Sequence, residues 1–130
     1  MKRVFKTRAF ANQTKKFGLP DSSLCAAVAE IESGLIDADL GGGLVKKRVA
    51  LPGRGKSAGA RTLIATNQGS RWFFVFGFAK NERANISTVE LEALKRYSGE
   101  LLKLTGAELN RLTDCAELME ICNDQKDARP

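Results

Sequence analysis

Arg71-Trp72-Phe73-Phe74-Val75-Phe76-Gly77-Phe78-Ala79 is the stretch that decides the architecture of this chain. Trp72, Phe74, Phe76 and Phe78 alternate with Phe73, Val75 and Gly77, so a strand here is apolar on both sides. Such a strand has to be buried on both sides, which places it in the centre of a sheet. Its aromatic rings could stack on bases, but a run this apolar reads as core. Arg61 to Thr66, rich in β-branched residues, precedes it across Asn67-Gln68-Gly69-Ser70, and the two form a hairpin with a four-residue loop.

Further upstream, Gly41-Gly42-Gly43 punctuates the chain, and Leu44 to Leu51 follows as a strand with Lys46, Arg48 and Ala50 on one face and Lys47, Val49 and Leu51 on the other. The N-terminal part reads as a short strand, Arg3 to Lys6, and a helix from Thr7 to Phe17. A second helix is capped by Asp21, with Leu24, Ala27, Val28, Ile31 and Leu35 on its apolar face. Downstream, Ser87 with Glu90 is a capping box opening a helix with Leu91, Leu94, Leu101 and Leu102 inward. Thr105 with Glu108 repeats the signature and predicts a last helix with Leu109, Leu112, Ala116 and Met119 inward. Tyr97 falls at the edge of the first of these, lying over the core. The final eight residues are polar and read as a frayed tail.

The order β-α-α-β-β-β-α-α implies an α+β domain. Its sheet is small and mainly antiparallel, two N-terminal helices and one or two C-terminal helices pack on it, and the helices are expected together on one face. Residues 1-104 read as the main domain, and residues 105-130 as a helical extension of it.

Charge is concentrated where the strands are. Between Lys46 and Arg83 nine basic residues face a single acid, Glu82, a net +8, while the flanking segments carry +1 and −3. Concentrated positive charge on a sheet suits a polyanion, because each cation that meets a phosphate releases counterions. Lys46, Arg48 and Arg61 on neighbouring strands, with Lys80 and Arg83 beyond the hairpin, are placed to converge on one phosphate. Lys and Arg on a strand facing water also serve solubility and discourage edge pairing. The near absence of local acids favours a site, since a merely solvated face mixes signs. Lys47, with Arg54 and Lys56 in the Gly-rich loop from Pro52 to Gly59, adds candidate contacts to a nucleic-acid backbone. Ala50 to Ser57 approximates a phosphate-binding loop, but it runs into a strand where a nucleotide site needs a helix N-terminus.

Cys25, Cys115 and Cys122 are odd in number and lack metal-ligand spacing, and the chain has no His, so they read as small core residues with neither disulfide nor zinc site expected. No apolar run approaches the length of a membrane span and the basic N-terminus lacks a signal-like apolar stretch, which together predict a cytoplasmic protein with no membrane contact.

Three stretches resemble the toxins of the RelE/HigB superfamily of bacterial toxin-antitoxin pairs, closest to the HigB-like branch. They are Gly42 to Ala50, Gly55 to Ile64, and Phe76 to Arg83, and the likeness runs over roughly residues 1 to 104. The resemblance implies a RelE-like fold and a metal-independent mRNA endoribonuclease that needs no cofactor. It implies cutting at the ribosome and a cognate antitoxin, expected to be of helix-turn-helix type. It assigns Lys46, Arg48 and Arg61 to gripping the scissile phosphate, and Lys80 and Arg83 to the basic motif after the last strand. Asn81 stands where many relatives place Arg, Ala60 where an aromatic residue often precedes the Arg, and no His or Tyr appears just after Arg83. The proton carriers are therefore unassigned, with Lys46, Lys80 and Glu82 the candidates. A non-catalytic relative, such as a ParE-like gyrase inhibitor, or a plain nucleic-acid-binding module is the alternative.

Overall fold

The computed structural model describes residues 2–51 and 59–122. The chain begins with β1 (Arg3–Thr7), α1 (Arg8–Thr14), a short 3-10 turn (Lys15–Phe17) and α2 (Asp21–Glu32). Four strands follow: β2 (Ala38–Gly41), β3 (Leu44–Val49), β4 (Ala60–Thr66) and β5 (Arg71–Ala79). The chain continues through α3 (Thr88–Leu102), α4 (Gly106–Asp114) and β6 (Leu118–Ile121). The six strands form one sheet in the order β2-β3-β4-β5-β1-β6. Only the β1–β5 pair is parallel. An α+β fold with a mainly antiparallel sheet is thus observed.

The helices, expected together on one face, lie on both. Phe10 of α1 and Leu24, Val28 and Ile31 of α2 pack with Val4, Val45, Ile64, Trp72 and Phe74. Leu101 of α3 and Leu109 of α4 pack with Phe5, Leu44, Leu63, Ala65, Phe73 and Val75 on the opposite face. Adjacent residues of β3, Leu44 and Val45, therefore belong to different cores. The reason is the one that made β5 central: a strand apolar on both sides needs a cover on each.

The simple alternation read along β5 also breaks. Leu63 stands opposite Phe76 while Ile64 stands opposite Phe74, so Val75 is an extra residue, a β-bulge. Beyond it the strand reverses its facing, and Phe76 joins the side of Phe73 and Val75. Gly77 then points at α1, where a Cβ would stand 2.7 Å from Thr14 Cγ2 and 3.0 Å from Phe10 Cε1. Only glycine lets α1 lie so close.

Two strands went unread. β2 pairs with β3 through a hairpin whose turn residues Gly42 and Gly43 have φ of +64° and +81°, a backbone that side chains disfavour. β6 replaces the end of the expected last helix. Both capping boxes form, but α4 stops at Asp114, Ala116 takes φ +62°, and Leu118–Ile121 runs antiparallel to β1. Ala116 and Met119 thus lie outside α4. Arg3 secures this edge by donating to both carboxylate oxygens of Glu120, each at 2.9 Å.

The cysteine reading is corrected. Cys25 of α2 and Cys122, just past β6, form a disulfide with Cα atoms 5.5 Å apart, and Cys115 is the exposed leftover. An odd count excludes a fully paired set, not a single cross-link. The two partners pack against the core under α1 and α2. The expected tail, 123–130, lies outside the described residues.

Candidate nucleic-acid interface

The antiparallel register assembles the basic residues. Arg48 of β3 lies directly across from Arg61 of β4, and Arg61 across from Phe78 of β5. One step along, Lys46 lies across from Leu63 and Leu63 across from Phe76. Paired residues in an antiparallel sheet share a face, and neighbouring strands stand about 4.8 Å apart. Lys46, Arg48 and Arg61 therefore sit together on the α3/α4 side, where Leu44 and Leu63 are buried with Leu101 and Leu109, Arg48 is exposed, and Lys46 and Arg61 are partly exposed. The bulge in β5 is what brings Phe76 and Phe78 onto this same face.

Arg83 completes the row. Its guanidinium lies 5.7 Å from the centroids of both Phe76 and Phe78. It donates to both oxygens of Glu90, at 2.5 and 3.1 Å. Glu90 is also the carboxylate of the α3 capping box, accepting from Ser87 N at 2.8 Å. These bonds, Arg83's first among them, hold its carboxyl down at about 2, and in return Glu90 raises Arg83 further above its already high value.

Lys47 does not belong to the interface. It points to the opposite face, is 4% exposed, and its ammonium meets Glu30 at 2.7 Å and the Leu35 carbonyl at 2.8 Å. This corrects the expectation that it touches RNA. The cause is the strand period: an odd step between two even ones must face α2.

Lys80 is exposed in the turn after β5, beyond the rows formed by β3, β4 and β5. Glu82, in the same turn, accepts from Ala79 N and pairs with Lys16, and the hydrogen bond from Lys16 is the first cause of its lowered pKa. Its carboxylate is thus directed to the turn and to the segment after α1. Arg54 and Lys56 lie outside the described residues. Tyr97 is 42% exposed on α3, its hydroxyl pKa raised by partial burial.

Three carboxylates that the local charge count missed enter this region from flanking segments. Asp37 accepts from Arg48 N at 2.6 Å and from its Nε at 3.3 Å, Glu90 engages Arg83, and Glu30 engages Lys47. Among the described residues, Lys46 and Lys80 have no carboxylate partner, and Arg61 has only the Gly59 carbonyl at 3.4 Å. Glu90 was visible as a helix cap, but its second role was not. Asp37 carried no sequence signal at all.

A six-stranded, mainly antiparallel sheet with helices on both faces and a row of basic residues on one of them defines a small α+β protein. The profile of the family described as RelE toxin of RelE / RelB toxin-antitoxin system matches residues 2–121, and the chain belongs to that family. It is therefore a toxin of a toxin-antitoxin system, whose partner is an antitoxin. No curated protein matches the chain. Among the described residues no helix is long and apolar enough to cross a membrane.

Proposed function

We propose that this toxin is a metal-independent endoribonuclease that cuts mRNA at the ribosome in the cytoplasm and is neutralised by a helix-turn-helix type antitoxin. The observation that carries the reading is the juxtaposition of Arg48, Arg61 and Lys46 in adjacent rows of one sheet face, with Lys46 and Arg61 meeting no carboxylate among the described residues.

In the reaction the 2′-OH of the RNA attacks the adjacent phosphorus, the bond to the 5′-oxygen of the next nucleotide breaks, and a 2′,3′-cyclic phosphate and a 5′-OH result. One proton leaves the 2′-OH and one reaches the departing oxygen. Arg61, whose guanidinium among the described residues meets only the Gly59 carbonyl, is the donor for the phosphorane-like charge, and Lys46 sits one row away to share it. Arg48, fixed at its Nε by Asp37, retains its terminal N–H groups for the phosphate. A preorganised donor of this kind contributes about 3 kcal/mol. Lys46 and Lys80 are the proposed proton carriers. Glu82 fits the part less well, because Lys16 stabilises its charged form. Arg83, gripped by Glu90 over two aromatic rings, braces one end of the site.

The test is induction of Arg61→Ala in bacteria beside the parent chain, following message integrity. Toxicity and mRNA loss should fall about 100-fold while the protein melts as the parent does. Full activity in the variant removes Arg61 from the site. Intact mRNA with DNA damage under the parent chain identifies a gyrase inhibitor instead.

A further inference from the structure

The β2–β3 hairpin holds one more cation on the open face. Gly41, Gly42 and Gly43 all have positive φ, and their missing side chains are occupied by α3. A Cβ at Gly42 would stand 3.4 Å from both Cβ and Cγ of Lys95, and one at Gly41 would stand 3.7 Å from its Nζ. The stem of Lys95 therefore lies along the glycine turn, and its ammonium is delivered to Gly41. The acids nearest in sequence do not take it: Asp39 turns its Oδ1 onto Gly41 N at 3.0 Å, and Glu92, one helical turn back, forms no ion pair with it. Among the described residues, Lys95 has no hydrogen bond or salt bridge.

Gly41 pairs with Leu44, and Lys46 lies two residues further along β3 on the same side, a distance of about 7 Å along the strand. Arg48 and Arg61 lie two residues beyond that. The cations thus form a line from the Arg48/Arg61 row through Lys46 to Lys95 at the hairpin turn.

We infer that Lys95 is a substrate-positioning residue that binds a phosphate of the RNA strand away from the cleaved bond, so that the strand leaves the site along β3 and over the β2–β3 glycine turn. This rests on the ribonuclease reading above. The glycines serve it by admitting the lysine stem, which fixes the ammonium where a flexible surface lysine would wander.

The probe is a single-stranded RNA of about 16 nucleotides, the upper end of common site sizes, with 2′-methoxy groups that block self-cleavage. Its binding to the parent chain, Lys95→Met and Lys95→Arg is measured from about 50 to about 200 mM salt. Methionine keeps the stem against Gly42 and removes only the charge. One lost phosphate contact should flatten the slope of log affinity against log salt by about 0.7, so the affinity lost across that salt range shrinks about 2.6-fold. Lys95→Arg should restore the parent slope. An unchanged slope in Lys95→Met, or an equal flattening in Arg96→Met, whose exposed side chain is the next on α3, overturns the inference while leaving the ribonuclease reading intact. Absence of RNA binding by the parent chain overturns both.

Discussion

Lys46 and Lys47 are neighbours in sequence, identical in chemistry, and opposite in fate. On the α2 side of β3, Lys47 is walled in among Val45, Val49 and Ile64, with Glu30, the Leu35 carbonyl and Thr62 as its surroundings. On the α3 side, Lys46 is partly exposed and meets no carboxylate among the described residues. One face of the strand is closed and structural, and the other is open and electrostatic. A run of basic residues is therefore not a unit of function; the two-residue period of the strand divides it.

The sharpest way to break this contrast is to change residues on each side and compare stability. Removing the Cys25–Cys122 cross-link, which spans 97 residues, should cost about 4 to 5 kcal/mol on the chain-entropy account. Chemical unfolding of Cys25→Ser/Cys122→Ser should show this, and reducing agent should lower the parent chain to meet it. Next comes Lys47→Met, which removes a buried ammonium from its contacts with Glu30 and the Leu35 carbonyl. Because Glu30 is one-third exposed, the loss should fall at the low end for broken buried pairs, about 3 kcal/mol. Lys46→Met should leave the denaturation midpoint within about 0.5 kcal/mol of the parent, as surface changes do. Equal destabilisation by both would erase the distinction between the faces.

The open side is probed by Arg61→Ala, with its expected hundredfold loss of activity and unchanged melting. The smallest effect is a change of acid sensitivity at the far end of the cationic row. Glu90 has its folded-state pKa depressed to about 2, first by Arg83. Its contribution is therefore fully present above the carboxylate's unfolded value, near pH 4.5, and is lost as pH falls toward 2. A pH series of melting temperatures should show a shallower acid limb for Glu90→Gln; parallel limbs would mean that Arg83 does not depend on this partner.

Much of the scaffold was legible from short-range signals. Both capping boxes, the β4–β5 hairpin and the α2 stripe Leu24, Ala27, Val28 and Ile31 lie where local rules place them. What could not be read depends on distant partners. β6 is four residues of ordinary composition whose extended form comes from pairing with β1, more than a hundred residues earlier. The bulge at Val75 is chosen by β4. At the site, the strand period correctly grouped Lys46 with Arg48, but the carboxylates Asp37 and Glu90 reach Arg48 and Arg83 from outside the basic segment. A local charge tally records them as absent.

β1 lies in parallel beside β5 and is closed on its other edge by β6. Both of its partners lie later in the chain, β6 more than a hundred residues on. At about 5–20 residues per second, the ribosome needs several seconds after β1 to supply them. During that interval β1 has neither neighbour, so the sheet cannot close on that side until Leu118–Ile121 has been made.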